Sequence, residues 1–140
     1  MPTVKSVYLG SLRTQATHIQ SGTTILTDAP TDNMGKGEAF SPTDLTATSL
    51  GTCIVTTMAI VAQRDGIDLE GSSFEITKVM TSTAPRKIAK IEVSINIQAN
   101  RELSADECKK LERTVHACPV ALSLHPDIEQ VITINWPESR

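Results

Sequence analysis

Apolar and polar residues alternate in part along residues 3 to 9 (TVKSVYL), 14 to 19 (TQATHI) and 23 to 27 (TTILT), with Gly10 and the Ser21-Gly22 pair between them. This pattern predicts three short strands joined as a meander. Residues 28 to 42, DAPTDNMGKGEAFSP, are dense in turn formers and predict a loop, long enough in so small a chain to be functional. At Ser41-Pro42-Thr43-Asp44 the pattern changes to a helix start. Ser41 suits the cap, Pro42 the first helical position, and Asp44 the positive end of the helix dipole. Arg64 and Gly66 mark its end. Two alternating runs, 72 to 83 and 87 to 99, predict a hairpin turning at Ala84-Pro85-Arg86. The segment LSADECKKLERTVHAC predicts an amphipathic helix with a capping box, Ser104 and Glu107, and with Leu111, Val115 and Cys118 on one face. Pro119 interrupts it and opens a short helix, PVALSLH, before a last strand, EQVITINW. The order βββ, α, ββ, αα, β describes one α+β domain over residues 1 to 140, with mainly antiparallel sheet.

The helix from residue 42 carries most of the information. At about 1.5 Å per residue it spans roughly 33 Å, against an expected radius of gyration near 14 Å. Leu45, Ala47, Leu50, Cys53, Ile54, Val55, Met58, Ala59, Ile60 and Val61 run most of the way round it. A helix apolar all round needs cover all round, and one small sheet with two short helices does not supply it. An intimate homodimer with this helix near a shared core is therefore expected. The uncharged run from Leu45 to Gln63 has roughly membrane-spanning length, but Thr46, Thr48, Ser49, Thr52, Thr56, Thr57 and Gln63 interrupt it. Such hydroxyls favour a core helix over a membrane span.

Charge and composition narrow the partners. Thirteen basic against sixteen acidic residues give a net charge of -3 without a basic patch, which disfavours nucleic acid and anionic membranes. Aromatic residues are scarce, which removes stacking platforms for bases. The N-terminus lacks a secretory pattern, so a cytoplasmic location is expected. Three cysteines, Cys53, Cys108 and Cys118, are an odd number for a disulfide framework and direct attention to buried, metal-bound or reactive thiols. Cys118, directly before Pro119, is expected at a helix N-cap, where N–H groups stabilise a thiolate. Cys108, among Asp106, Glu107, Lys109 and Lys110, reads as a bystander. His116 and His125 add no metal-finger spacing to the cysteines, there is no Cys-x-x-Cys, and no metal or other cofactor is expected.

SPTDLTATSLGTCIVTTMAIVAQRDGIDL and VHACPVALSL, some 65 residues apart and in that order, together resemble the OsmC and organic hydroperoxide resistance family, and most closely its broader OsmC-like branch. The resemblance covers nearly the whole chain. It implies an intertwined α+β homodimer with antiparallel sheets around two long central helices. It also implies thiol-dependent reduction of hydroperoxides, organic ones preferentially. Cys53 would attack and become a sulfenic acid, Cys118 would condense with it to a disulfide, and an external dithiol would restore both. Family members place a cysteine-activating arginine on an N-terminal strand, usually of the other subunit, and Arg13 stands in that place. A glutamate that pairs with this arginine falls, in the best-known members, ten residues before the attacking cysteine. Thr43 stands there, with Asp44 beside it and Glu38 in the preceding loop. The alternative reading is a dimeric binding protein whose thiols line a pocket for a small apolar ligand.

Overall fold

Three strands, β1 (Val4–Gly10), β2 (Arg13–His18) and β3 (Thr24–Asp28), pair in antiparallel order β1-β2-β3. The β1–β2 turn runs through Gly10, Ser11 and Leu12, all at positive φ (82°, 54° and 65°). A leucine in this region is unusual; here its N–H donates to Tyr8 Oη at 3.2 Å. In the computed structural model, which describes residues 1–138, these strands and the loop after them belong to a first unit, Met1–Thr46, and a second begins at Ala47. Much of the first sheet's apolar surface is open, with Val7, Tyr8, Leu9 and Leu26 each more than half exposed.

Helix α1 (Pro42–Arg64) starts with a reciprocal cap: Asp44 N–H donates to Ser41 Oγ, and Ser41 N–H to Asp44 Oδ2, both at 3.0 Å. In the second unit, Ala47, Leu50, Ile54, Met58 and Ala62 form a buried stripe at helical spacing. The same cluster includes Ile91, Val93 and Ile95 from the central strand of a second sheet, β4 (Ser73–Met80), β5 (Ile88–Asn96) and β6 (Glu129–Asn135), in the order β4-β5-β6. Each such side chain contributes roughly 1.5–3 kcal/mol relative to exposure. The other side of α1 is left open, as expected of one small sheet with two short helices. Thr52, Thr56, Ile60 and Gln63 are exposed, and Cys53, Val55 and Ala59 half-buried, so the chain itself buries one stripe.

Two expectations need correction. β4 and β5 are antiparallel, but β6 lies parallel to β5, with Val93 opposite Ile132. The connection from Ile97 to Ile128 is long enough for the crossover that parallel pairing requires. Helix α2 (Ala105–Glu112) stops short of Cys118. Thr114 Oγ1 donates to Leu111 O at 2.7 Å, and Cys118, ahead of Pro119, is extended at φ -72°, ψ 148°, as a residue before proline prefers to be. A third helix, α3 (Pro119–Ser123), follows. At the start of α2, Ser104 and Glu107 form the capping box, and Arg101 grips the Glu107 carboxylate at 3.0 and 2.7 Å.

Two outcomes are expected. A Cβ at Gly51 would lie 2.5 Å from Ile76 Cδ1 and 2.8 Å from Cγ1, so Gly51→Val is expected to lower unfolding free energy by about 1–3 kcal/mol through overpacking. Urea titration checks this, and an unchanged midpoint would refute it. Arg101 and then the Ser104 N–H hold the Glu107 carboxyl well below its ordinary 4.5, at about 2. Because the folded-state value is depressed, the stabilisation is complete above about pH 4.5 and lost as pH falls toward 2. Melting curves of Glu107→Gln should therefore converge on wild type through that window and separate above it.

Candidate functional site

The second unit brings two thiols together. Cys53 sits half-buried on α1 immediately before buried Ile54, and Cys118 is fully buried as the N-cap of α3. Both are free. Cys118 Sγ accepts from the Ala121 N–H at 3.4 Å, and the Cys53 thiol is its neighbour. Burial is the strongest influence on Cys118 and raises its pKa. The Ala121 N–H opposes it, and the hydrogen bond and charge interaction with Cys53 push further upward. This corrects the expectation from its N-cap position: a helix of five residues offers one well-placed N–H, and desolvation outweighs it.

The first unit holds an arginine between two carboxylates. Arg13 opens β2 and stands directly across the ladder from Asp28, the last residue of β3. Arg13 Nη2 lies 3.3 Å from Asp28 Oδ2 and also hydrogen-bonds Glu38 Oε2. The Asp28 side chain is fully buried, whereas those of Arg13 and Glu38 are 34% and 60% exposed. Asp28 Oδ2 additionally accepts from the Glu38 N–H at 3.0 Å, while Oδ1 is buried with no partner among the described residues. The Glu38 N–H is the main influence lowering the Asp28 pKa; burial opposes it, and Arg13 lowers it further. Glu38, then Asp28, raise that of Arg13, which stays charged. The backbone fixes the same corner: Ala29 N–H donates to Leu12 O at 3.1 Å, Asp28 N–H to Phe40 O at 2.9 Å. Cross-strand from each other, Thr14 and Thr27 share a hydroxyl–hydroxyl hydrogen bond.

Asp28 is the residue that reading the sequence misses. The alternation TTILT ends β3 at Thr27, and one more residue in register would have put Asp28 opposite Arg13. Asp44 is engaged in the cap of α1, where Thr43 Oγ1 meets Ser41 Oγ at 3.2 Å. His116 and His125 are exposed; His125 Nδ1 accepts from the Asp127 N–H at 3.0 Å. Cys108, half-buried and raised by burial and then by Glu112 and Glu107, lines a cavity of about 480 Å³ together with Trp136.

A family model described as OsmC-like protein matches residues 35–132. The chain belongs to the OsmC-like family. Among solved structures, one from Psychrobacter arcticus 273-4, provisionally described as an osmotic stress induced and detoxification response protein, is 48% identical, with 96% of each chain covered and a TM-score of 0.89. An OsmC-like protein from Mycoplasma pneumoniae is 15% identical over 96% of each chain, with a TM-score of 0.76. An organic hydroperoxide resistance protein OsmC from Legionella pneumophila is 18% identical, covers 96% of this chain and 98% of its own, and has a TM-score of 0.69. These two distant likenesses establish shared fold alone. No curated protein matches. In this OsmC-like chain, the full burial of Cys118 makes it the slowest of the three thiols to alkylate in the native state. Peptide mapping after timed N-ethylmaleimide labelling at pH 7 checks this, and labelling of Cys118 as fast as Cys53 would contradict it.

Proposed function

We propose that this OsmC-like protein is a thiol-dependent peroxidase that reduces organic hydroperoxides. The observation that carries the reading is the thiol pair, half-buried Cys53 beside fully buried Cys118. Because Cys118 is fully buried and Cys53 only half-buried, Cys53 is the attacking group. Its thiolate takes the distal oxygen of ROOH: an S–O bond forms, the O–O bond breaks, and the alkoxide leaves and is protonated to ROH. The Cys118 sulfur then displaces hydroxide from the Cys53 sulfenic acid, forming the disulfide and releasing water. An external dithiol reduces the disulfide and is itself oxidised. The descriptions of the Psychrobacter arcticus and Legionella pneumophila proteins, detoxification response and organic hydroperoxide resistance, agree with this substrate class.

The cation is Arg13, supplied by the partner subunit of a homodimer. Open apolar surface on the first sheet, at Val7, Tyr8, Leu9 and Leu26, and Ile60 at 49% exposure on α1 support such a dimer. Activating a thiol is the smaller part of the arginine's work. A cation that lowered a thiol's pKa from about 8.5 to about 6.5 would raise its thiolate fraction at pH 7 roughly 25-fold, but the lost nucleophilicity takes back about 8-fold. The larger part is orienting the peroxide and stabilising the departing alkoxide with a planar, multi-donor group. The reading places the protein in the cytoplasm, where dithiol reductants are at hand.

Consumption of cumene hydroperoxide with a dithiol reductant tests the reading. Cys53→Ser is expected to abolish turnover, and Cys118→Ser to allow one equivalent of peroxide to be reduced per site before stalling as the sulfenic acid. After stoichiometric peroxide, mass spectrometry should find a Cys53–Cys118 disulfide. Two persistently free thiols would replace the peroxidase reading with that of a binding protein for a small apolar ligand.

A further inference from the structure

We propose that Asp28 is the residue that positions Arg13, and that Glu38 is its secondary, replaceable partner. The inference rests on the reading of Arg13 as the cation that serves the thiols, and it replaces the head of α1 as the source of the positioning carboxylate. Asp44 at that head is committed to the Ser41 cap. Asp28 instead faces Arg13 across a hydrogen-bonded ladder, so both backbones are fixed by the sheet.

The two carboxylates are physically unequal. Glu38 reaches Arg13 from a loop, with its side chain 60% exposed, and exposed ion pairs contribute little. Asp28 is fully buried. One of its oxygens takes both the arginine and the Glu38 N–H, so the same atom that holds the cation also ties down the loop carrying the second carboxylate. Its other oxygen has no partner among the described residues. The unsatisfied oxygen carries a desolvation cost that the contacts of the other oxygen outweigh. Asparagine has the same shape without the charge, so what the aspartate adds is a fixed anion for Arg13. The grip is also one-sided. Both protein acceptors sit on Nη2, and Nε and Nη1 remain as donors among the described residues. A guanidinium held by one edge presents the other to a peroxide oxygen.

Hydroperoxide turnover of full-length wild type, Asp28→Asn, Glu38→Gln, Arg13→Ala and the Asp28→Asn/Arg13→Ala pair tests the assignment, together with ¹⁵N NMR of the Arg13 guanidinium. Asp28→Asn is expected to lower kcat/KM by about 10-fold or more, Glu38→Gln by about 3-fold or less, and Asp28→Asn to add less than about 2-fold in the Arg13→Ala background. Asp28→Asn is expected to lower the melting temperature, since it removes a carboxylate whose charge the Glu38 N–H and Arg13 favour over desolvation, and turnover is therefore compared at a temperature where every variant is folded. Restricted rotation at Arg13 Nη2 should survive in Glu38→Gln and disappear in Asp28→Asn. A larger loss with Glu38→Gln than with Asp28→Asn, or an undiminished Asp28→Asn effect without Arg13, would overturn the proposal. If wild type turns over no hydroperoxide, the peroxidase reading fails and the NMR comparison still decides Asp28. If Asp28→Asn does not fold, Glu38→Gln decides alone: loss of the restricted Arg13 signal there refutes the assignment.

Discussion

The stripe of Leu50, Ile54 and Met58 on α1, clustered with Ile91, Val93 and Ile95 on β5, is the constraint on which the second unit rests. All six side chains have 1% exposure or less. Their interlock fixes the rotation of α1 about its axis. That rotation decides where Cys53 lies: one residue before Ile54 in sequence, it falls at the margin of the stripe, half-buried, instead of within it. Gly51 belongs to the same constraint, because its missing side chain lets α1 settle onto Ile76. A thiol at such a margin has both a protein partner and a route outward.

Electrostatics divides the candidate groups by burial. Cys118 and Asp28 are both buried, and burial disfavours the charged form of each. Their shifts run in opposite directions because their partners differ. Asp28 receives a backbone N–H and a guanidinium, which together overcome desolvation. Cys118 receives one N–H at 3.4 Å, and desolvation prevails. The same physical cost is outweighed in one place and decides in the other.

Much of this was legible in the sequence because it is written in local chemistry. Alternation marked the strands, the Ser41 and Ser104 caps marked helix starts, and Pro119 marked the break before α3. The pairing of β6 with β5 in parallel was not legible, since periodicity carries no information on strand direction. The end of α2 at Glu112 depended on the Thr114 hydroxyl and on the backbone of Cys118, two competing preferences that the apolar pattern of Leu111, Val115 and Cys118 concealed. Asp28 was hidden by a single residue of register at the end of β3, where a polar side chain looks the same whether it closes a strand or opens a loop. The direction of the Cys118 shift needed its burial, which its N-cap position does not reveal.

The acceptor that closes the first turn of α3 is a sulfur atom. In most helices the capping group is chemically inert, so the helix end is indifferent to redox conditions. In α3 the Ala121 N–H is satisfied by an atom whose electron density falls when it enters a disulfide. On the proposed redox reading, whatever the reduced sulfur contributes to the order of α3 would by linkage favour the reduced state of the pair. Residues at the start of α3, such as Val120 and Ala121, would then be sites at which sequence variation tunes the reduction potential without touching either cysteine.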